Sequence, residues 1–181
     1  PTASPTNAPA ATATPLSTAT PTIPPTPTST PSNLVGNPGF EVNTSGWAGS
    51  TSATAVTRVA DGHSGDFSAQ VTNVTTGTSE CNLNDSPNWV STTAGGTYTG
   101  SLWVRGDVAG ATLKLRFREY QGSTFKGSST TQVALSTGWS LVTVSYAPVS
   151  PGLSTLDFNA YITGAPPNTC FYADDAVIIR Q

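Results

Sequence analysis

The chain has 181 residues, of which only 9% are charged, and its formal net charge is −3. A net charge this small excludes the strongly basic surface of a nucleic-acid-binding protein. No apolar run reaches the ~18–20 residues of a membrane span. Thr, Ser, Gly and Asn fill the polar positions instead, a composition typical of a secreted all-β protein that acts outside the cell or at its surface.

Residues 1–32 differ from the rest of the chain. They hold nine of the 15 prolines, no charged residue, and only Leu16 and Ile23 as large apolar side chains. Such a segment cannot bury enough surface to fold, so we expect an extended Pro/Thr-rich tail, with Thr and Ser beside Pro as sites for O-glycosylation. It is interpreted as a linker or stalk. The alternative is an assembly element that docks on a neighbouring subunit. Residues 33–181 then form one domain.

Residues 33–181 show short alternating segments separated by turn signals, and no helical periodicity. The clearest predicted strands, in chain order, are 53–60, 67–74, 81–85, 97–105, 112–120, 130–135, 139–146, 156–163 and 170–179. This pattern predicts two packed antiparallel sheets, a β-sandwich or jelly roll.

The chain has two cysteines, Cys81 and Cys170. Two cysteines in a secreted domain predict one disulfide, and both lie near the turn-rich ends of predicted strands. The alternative is two unrelated buried thiols.

The segments 97–105 and 112–120 are predicted to be neighbouring strands joined by the turn residues of 106–110. Because side chains alternate between the faces of a strand, one face is apolar and should contribute to the core. The opposite face carries Ser101, Trp103, Arg105, Lys114, Arg116, Arg118 and Tyr120. A face that is both aromatic and cationic is unlike an ordinary solvated strand face, so we interpret it as a binding surface.

Several segments together resemble one known family. They are "NLVGNPGFE" at 33–41, Trp47, "DGHSGDFSAQVTN" at 61–73, "YTGSLWVRG" at 98–106 and "CFYADDAVII" at 170–179. In this order they are similar to carbohydrate-binding modules of the family 4/9/22 jelly-roll type. The resemblance covers essentially all of 33–181 and implies a jelly-roll fold, whereas the ligand differs widely among such modules.

The resemblance also implies a structural calcium ion where the first and last strands meet. The matching positions are Glu41 and Asp174, with backbone carbonyls of 61–65 and with Asp61 as a further neighbour. Asp174 shares parity with inward-facing residues, and an inward carboxylate needs a partner such as a hard cation. The alternative is an Asp174 that is hydrogen-bonded in a turn.

The sequence gives little support for catalysis. The single histidine, His63, lies in a loop without the strand–turn–helix context of a nucleophile elbow. Asp157 is the only acid expected on the proposed binding face, whereas glycoside hydrolysis needs two. No phosphate loop or zinc spacing occurs. We therefore predict no catalytic residue.

Glycan binding suits the outward residues better, because sugar rings lie on aromatic rings and their hydroxyls bond planar polar groups. Trp103, Tyr120 and Tyr161 are the candidate platforms. The candidate hydrogen-bonding residues are Asn82, Asn84, Arg105, Arg116, Arg118, Gln132, Asp157 and Asn159. The alternatives are that Trp103 is buried beneath a loop and that the arginines form a solvated stripe. Like charges along one face repel without a partner, so an acidic or sulfated glycan is one candidate ligand.

The sequence thus predicts a non-catalytic extracellular carbohydrate-binding module that attaches an enzyme or a cell to a polysaccharide. The alternative is a structural subunit of an extracellular filament or surface layer, assembled through the N-terminal tail by strand addition.

Overall fold

Short segments in which buried and exposed residues alternate form most elements of the fold. The computed structural model describes residues 1–4, 7 and 31–181, and this part of the chain contains eleven strands and no helix. The strands are β1 (Trp47–Ala48), β2 (Thr54–Val59), β3 (Ser68–Asn73), β4 (Ser79–Asp85), β5 (Val90–Ser91), β6 (Tyr98–Arg105), β7 (Thr112–Gln121), β8 (Thr124–Ala134), β9 (Ser140–Tyr146), β10 (Thr155–Ala165) and β11 (Asn168–Arg180).

The strands form two antiparallel sheets. Sheet A has the order β1-β4-β10-β7-β8, with β5 also paired to β10, and sheet B has the order β2-β3-β11-β6-β9. Most neighbours in these sheets are distant in sequence, so the fold depends on long-range pairing. The predicted all-β sandwich is confirmed.

The core lies between the two sheets. The ring centroids of Phe117 on β7 and Phe158 on β10 are 5.0 Å apart, and both side chains are wholly buried. Gly100 on β6 lies against these rings, and a Cβ placed there would come within 2.5 Å of Phe158 and 2.7 Å of Phe117. A side chain at this position would therefore force the sheets apart.

The predicted pairing of 97–105 with 112–120 is wrong. β6 pairs with β9 and β11 in sheet B, whereas β7 pairs with β8 and β10 in sheet A. The segment between them crosses from one sheet to the other. The alternation of apolar and polar residues identified the inward side chains correctly. However, two strands show the same alternation whether they are paired in one sheet or face each other across the core.

The predicted disulfide is confirmed. Cys81 on β4 of sheet A is bonded to Cys170 on β11 of sheet B, across a sequence separation of 89 residues. The bond joins the two sheets and stabilises the fold by about 4 kcal/mol in the chain-entropy model.

The prediction of an extended, O-glycosylated tail falls mainly on residues 5, 6 and 8–30, which lie outside the described residues. The filament alternative depends on the same segment. Residues 31–181 form a compact unit by themselves. No helix in the described part of the chain is long and apolar enough to cross a membrane.

Candidate functional site

Long polar and basic side chains cover the outer face of sheet A. On β7, Lys114, Arg116 and Arg118 alternate with side chains that are wholly buried, so the basic groups point away from the core. We call this surface the basic face. It consists of Asn82, Asn84, Lys114, Arg116, Arg118, Tyr120, Gln132, Asp157, Asn159 and Tyr161.

The strand register brings residues from distant parts of the sequence together on this face. Asn159 on β10 lies opposite Arg116 on one side and Asn84 on the other, and Asp157 lies opposite Arg118. Directly opposed side chains are about 4.5–5.5 Å apart, close enough to act on one ligand.

Tyr161 is the aromatic centre of the basic face. The Arg116 guanidinium lies 4.4 Å from the centroid of its ring, and the Lys114 ammonium lies 5.5 Å from it. Arg116 Nε also donates a hydrogen bond to Asn159 Oδ1 at 3.1 Å. The ring, the guanidinium and the amide are therefore held as one group, as a preformed site requires.

Buried polar atoms on the basic face lack partners. Asp157 forms an ion pair with Arg118, and burial raises the pKa of Asp157 even though this guanidinium favours the charged form. Among the described residues, four buried side-chain polar atoms have no hydrogen-bond partner within the protein. Three of them are on this face: Asn84 Oδ1, Arg118 Nε and Asp157 Oδ1. Unpaired buried polar atoms cost free energy, so a water molecule or another polar group would be stabilised beside them.

Asn82 lies on the same face but its amide is already bonded within the protein. Its Oδ1 accepts the backbone N–H of Ser50, and its Nδ2 donates to Glu80 Oε1 at 3.0 Å. With 1% of its surface exposed, Asn82 has a structural role in connecting β4 to the 49–53 turn.

The far end of the basic face carries an aromatic pair that the sequence analysis missed in part. Tyr120 and Phe125 are paired across the β7–β8 hairpin, with ring centroids 5.8 Å apart, and Phe125 is 55% exposed. The predicted strand began at residue 130, whereas β8 begins at Thr124. Gly122, with a φ of 59°, was the available signal, because it marks a tight turn directly after β7.

Trp103 and Arg105 do not share this surface. Both lie on the outer face of sheet B, where the 61–66 loop contacts them and leaves both half-buried. The His63 ring is stacked on Trp103 at 3.8 Å, and Arg105 is ion-paired with Asp61. The expectation of one face containing Trp103 and the β7 arginines is therefore wrong, because β6 and β7 belong to different sheets. Trp103 instead anchors the loop.

Asp174 also lies on the outer face of sheet B rather than inward with Ala176 and Ile178. It is directly opposite Trp103, and a register shift between Asp174 and Val177, with Asp175 at a φ of 46°, reverses the alternation. The alternation of residues in the sequence gives no sign of this bulge, because a bulge changes only the local backbone. The 61–66 loop nevertheless buries Asp174 completely.

The Asp174 carboxylate holds the 61–66 loop. It accepts the backbone N–H of His63 at 2.8 Å, of Ser64 at 3.2 Å and of Asp175 at 2.8 Å. Burial raises the pKa of Asp174 despite these hydrogen bonds.

Glu41 approaches the same loop. Its carboxylate accepts the N–H groups of Asp66 and Phe67, both at 3.3 Å. A Cβ placed on Gly39 would lie 3.8 Å from Asp174 Oδ1, 3.8 Å from Glu41 Cγ and 3.9 Å from Asp175 Oδ1. The carboxylates of Asp174 and Asp175 thus lie beside Gly39, whereas the Glu41 carboxylate is directed at the backbone of residues 65–67.

Asp61, the third residue predicted for calcium, is bound to Arg105 instead. In residues 31–181, no three His, Cys, Asp or Glu side chains form a group suited to a metal. A cation near Glu41 and Asp174 would therefore need backbone carbonyls as well.

Comparisons with known proteins agree with this architecture. The model of the carbohydrate binding domain family matches residues 32–169. A search of curated proteins finds none that matches the chain.

Three solved structures illustrate the similarity of fold. The CBM22-1 xylan-binding domain of Xyn10C from Paenibacillus barcinonensis has a TM-score of 0.62 and 16% identity, over 85% of this chain and 97% of that one. TmCBM61 in complex with β-1,4-galactotriose has a TM-score of 0.54 and 17% identity, over 83% and 99%.

The arabinose-bound α-L-arabinofuranosidase MgGH51 has a TM-score of 0.63 and 16% identity, over 82% of this chain and 26% of that one. This chain therefore spans about a quarter of that enzyme.

Proposed function

Because this chain belongs to the carbohydrate binding domain family, we propose that residues 31–181 are a non-catalytic extracellular module that binds a glycan on the basic face. The similar structures include a xylan-binding domain and a galactotriose complex, which supports an oligosaccharide or polysaccharide as the ligand class. The Cys81–Cys170 disulfide supports an oxidising, extracellular environment.

One observation carries the choice of surface: on the outer face of sheet A, Arg116 lies 4.4 Å from the centroid of the Tyr161 ring and donates a hydrogen bond to Asn159. Asn84 Oδ1, Asp157 Oδ1 and Arg118 Nε beside them have no partner within the protein, but they are buried, so a sugar hydroxyl would reach them only after a neighbouring side chain moves. Tyr161 beside them offers an aromatic ring for the C–H face of a sugar. The basic face therefore offers polar groups for the hydroxyls of a sugar and an aromatic ring for its apolar C–H face.

The charge of the basic face favours a glycan that is at least partly anionic. Lys114, Arg116 and Arg118 follow one another on β7, and Asp157 neutralises only the last of them. The whole chain is acidic, with a net charge of −3, so this local excess of positive charge is specific to the face.

The acids of the protein have structural partners, which supports a non-catalytic role. Burial raises the pKa of Asp85 to about 7, a value that could suit a general acid. However, Asp85 is 1% exposed, and its two oxygens accept the backbone N–H groups of Trp89 and Phe158. It therefore binds the backbone inside the core, away from the basic face.

The proposal is tested by titrating an array-selected glycan into the ¹⁵N-labelled protein and mapping amide chemical-shift changes. We expect the largest changes on β4, β7, β8 and β10, because these strands carry the basic face. Changes confined to β6 and β11 would place the ligand on sheet B and refute the choice of face. An array on which the protein binds no glycan would refute the proposed function itself.

We also propose that a structural calcium ion is bound by Glu41, Asp174 and carbonyls of the 61–66 loop. Carboxylate and carbonyl oxygens are the ligands calcium prefers, and the Asp174 carboxylate beside Gly39, with Glu41 on the same loop, provides the negative charge. A bound ion would fix this loop on sheet B, where Trp103 and Arg105 already hold its other residues.

The calcium proposal predicts a metal-dependent melting temperature. At free calcium about tenfold above its dissociation constant, the melting temperature should rise by roughly 3–5 °C relative to EDTA, since only the folded state binds the ion. Glu41→Gln should abolish this increase, whereas the matched variant Glu80→Gln, at an exposed position of the otherwise mostly buried β4, should retain it. Identical melting of the wild type in calcium and EDTA would exclude the site.

A further inference from the structure

A pocket of about 490 Å³ opens at one end of the basic face. It lies where β7 begins and β10 ends, and its lining includes Thr112, Lys114, Gln132, Thr163 and Pro166. Pockets that hold small ligands are typically about 300–1,000 Å³ in volume, so this one can admit a substituted sugar unit.

The pocket is continuous with the proposed glycan site. Lys114 on β7 lies directly between Gln132 on β8 and Tyr161 on β10, and its ammonium is 5.5 Å from the Tyr161 ring. A glycan stacked on Tyr161 would therefore have a neighbouring group at the mouth of the pocket.

The chemistry of the pocket points to an anion. Lys114 is the only ionisable residue in its lining. Among the described residues, neither Lys114 nor Arg116 forms a salt bridge, although the two lie on the same side of β7, roughly 7 Å apart along the strand. Two like charges this close repel each other, and an anion placed beside both would relieve the repulsion.

We propose that this pocket binds an acidic substituent of the glycan, a carboxylate or a sulfate, with Lys114 as its counter-ion. Gln132, opposite the lysine on β8, and Thr112, two residues before it on β7, donate hydrogen bonds to the same group. The inference rests on the proposed function, and it narrows the ligand to uronic-acid-containing or sulfated glycans.

The test is a glycan array that carries matched pairs: uronic-acid oligosaccharides with their methyl esters, and sulfated oligosaccharides with their desulfated forms. Wild type should bind an acidic member about tenfold more tightly than its neutral partner, and the pair that shows the difference identifies carboxylate or sulfate. Lys114→Gln should lose this preference. Lys126→Gln removes the same charge from exposed β8 outside the pocket and should keep it.

Equal binding of acidic and neutral partners, or an equal effect of the two lysine variants, would overturn the inference while leaving glycan binding intact. Binding to no glycan on the array would instead overturn the proposed function, and the inference with it. Thermal unfolding of both variants shows that any loss of preference is not a loss of folding.

Discussion

Glu119→Gln is expected to lower the free energy of unfolding by about 3 kcal/mol, because it replaces a buried carboxylate oxygen that accepts hydrogen bonds with an NH₂ group that donates them. Glu119 is wholly buried, and its two oxygens accept four hydrogen bonds. Oε2 accepts from the Tyr146 hydroxyl and the Val149 N–H, both at 2.8 Å. Oε1 accepts from the Ser150 N–H at 2.8 Å and the Ser154 hydroxyl at 2.6 Å.

Glutamine cannot replace this carboxylate. Its NH₂ group would face one backbone N–H, which can only donate, and one hydroxyl, which would have to turn and accept instead. One buried hydrogen bond would be lost at about 1.5–3 kcal/mol and the other bonds would lose their charged acceptor, partly offset by relaxation of the 147–153 loop. Urea unfolding measures the difference. Asp107→Asn is the control, because Asp107 is half exposed and its contact with Arg105 is 3.9 Å long, so this change should stay within about 0.5 kcal/mol.

The effect of Glu119→Gln should also depend on pH. Burial alone would raise the pKa of Glu119, but the hydrogen bonds from Ser154, Val149, Tyr146 and Ser150 favour the charged form and lower it overall. A lowered pKa in the folded state means that the stabilisation is present at neutral pH and is lost as the pH falls below the usual glutamate range. The gap between wild type and Glu119→Gln should therefore shrink as the pH falls below the usual glutamate range. A gap that stays constant would contradict this network.

The sequence was sufficient to predict most of the strands and the core, although it missed β1, β5 and the first half of β8. Alternation around Leu113, Leu115 and Phe117 identified inward side chains, and these are wholly buried. It could not assign strands to sheets, because β6 and β7 have the same pattern whether they are paired or stacked. The sheet to which each strand belongs is set by its long-range partners, which are β9 and β11 for β6 and β8 and β10 for β7. Nothing local in the sequence identifies these partners.

Local irregularities account for the remaining differences. The bulge at Asp175 reversed the expected direction of Asp174, and the 61–66 loop covered Trp103 with His63. On the basic face the prediction of outward side chains agrees with the structure: Arg116 on β7 and the pair Asn159 and Tyr161 on β10 come from two separate segments and point away from the core. Regular alternation therefore predicted the direction of the residues on the basic face, whereas it could not show the bulge at Asp175 or the sheet to which β6 belongs.

Tyr161→Ala is expected to weaken glycan binding by about 2 kcal/mol, roughly thirtyfold, since truncating an aromatic residue at the centre of a binding site typically costs this much. The substitution removes the ring beneath the Arg116 guanidinium, so the arginine also loses its orientation. Trp103→Ala is the matched aromatic control on the opposite sheet. It removes the partner of His63 and should lower the melting temperature without changing affinity.

The central claim is that sheet A, not sheet B, holds the ligand. Isothermal titration of one array-selected glycan into wild type, Tyr161→Ala and Trp103→Ala tests it most directly. We predict a loss of roughly thirtyfold for Tyr161→Ala and an affinity within about twofold of wild type for Trp103→Ala. Full affinity in Tyr161→Ala together with a large loss in folded Trp103→Ala would contradict the claim.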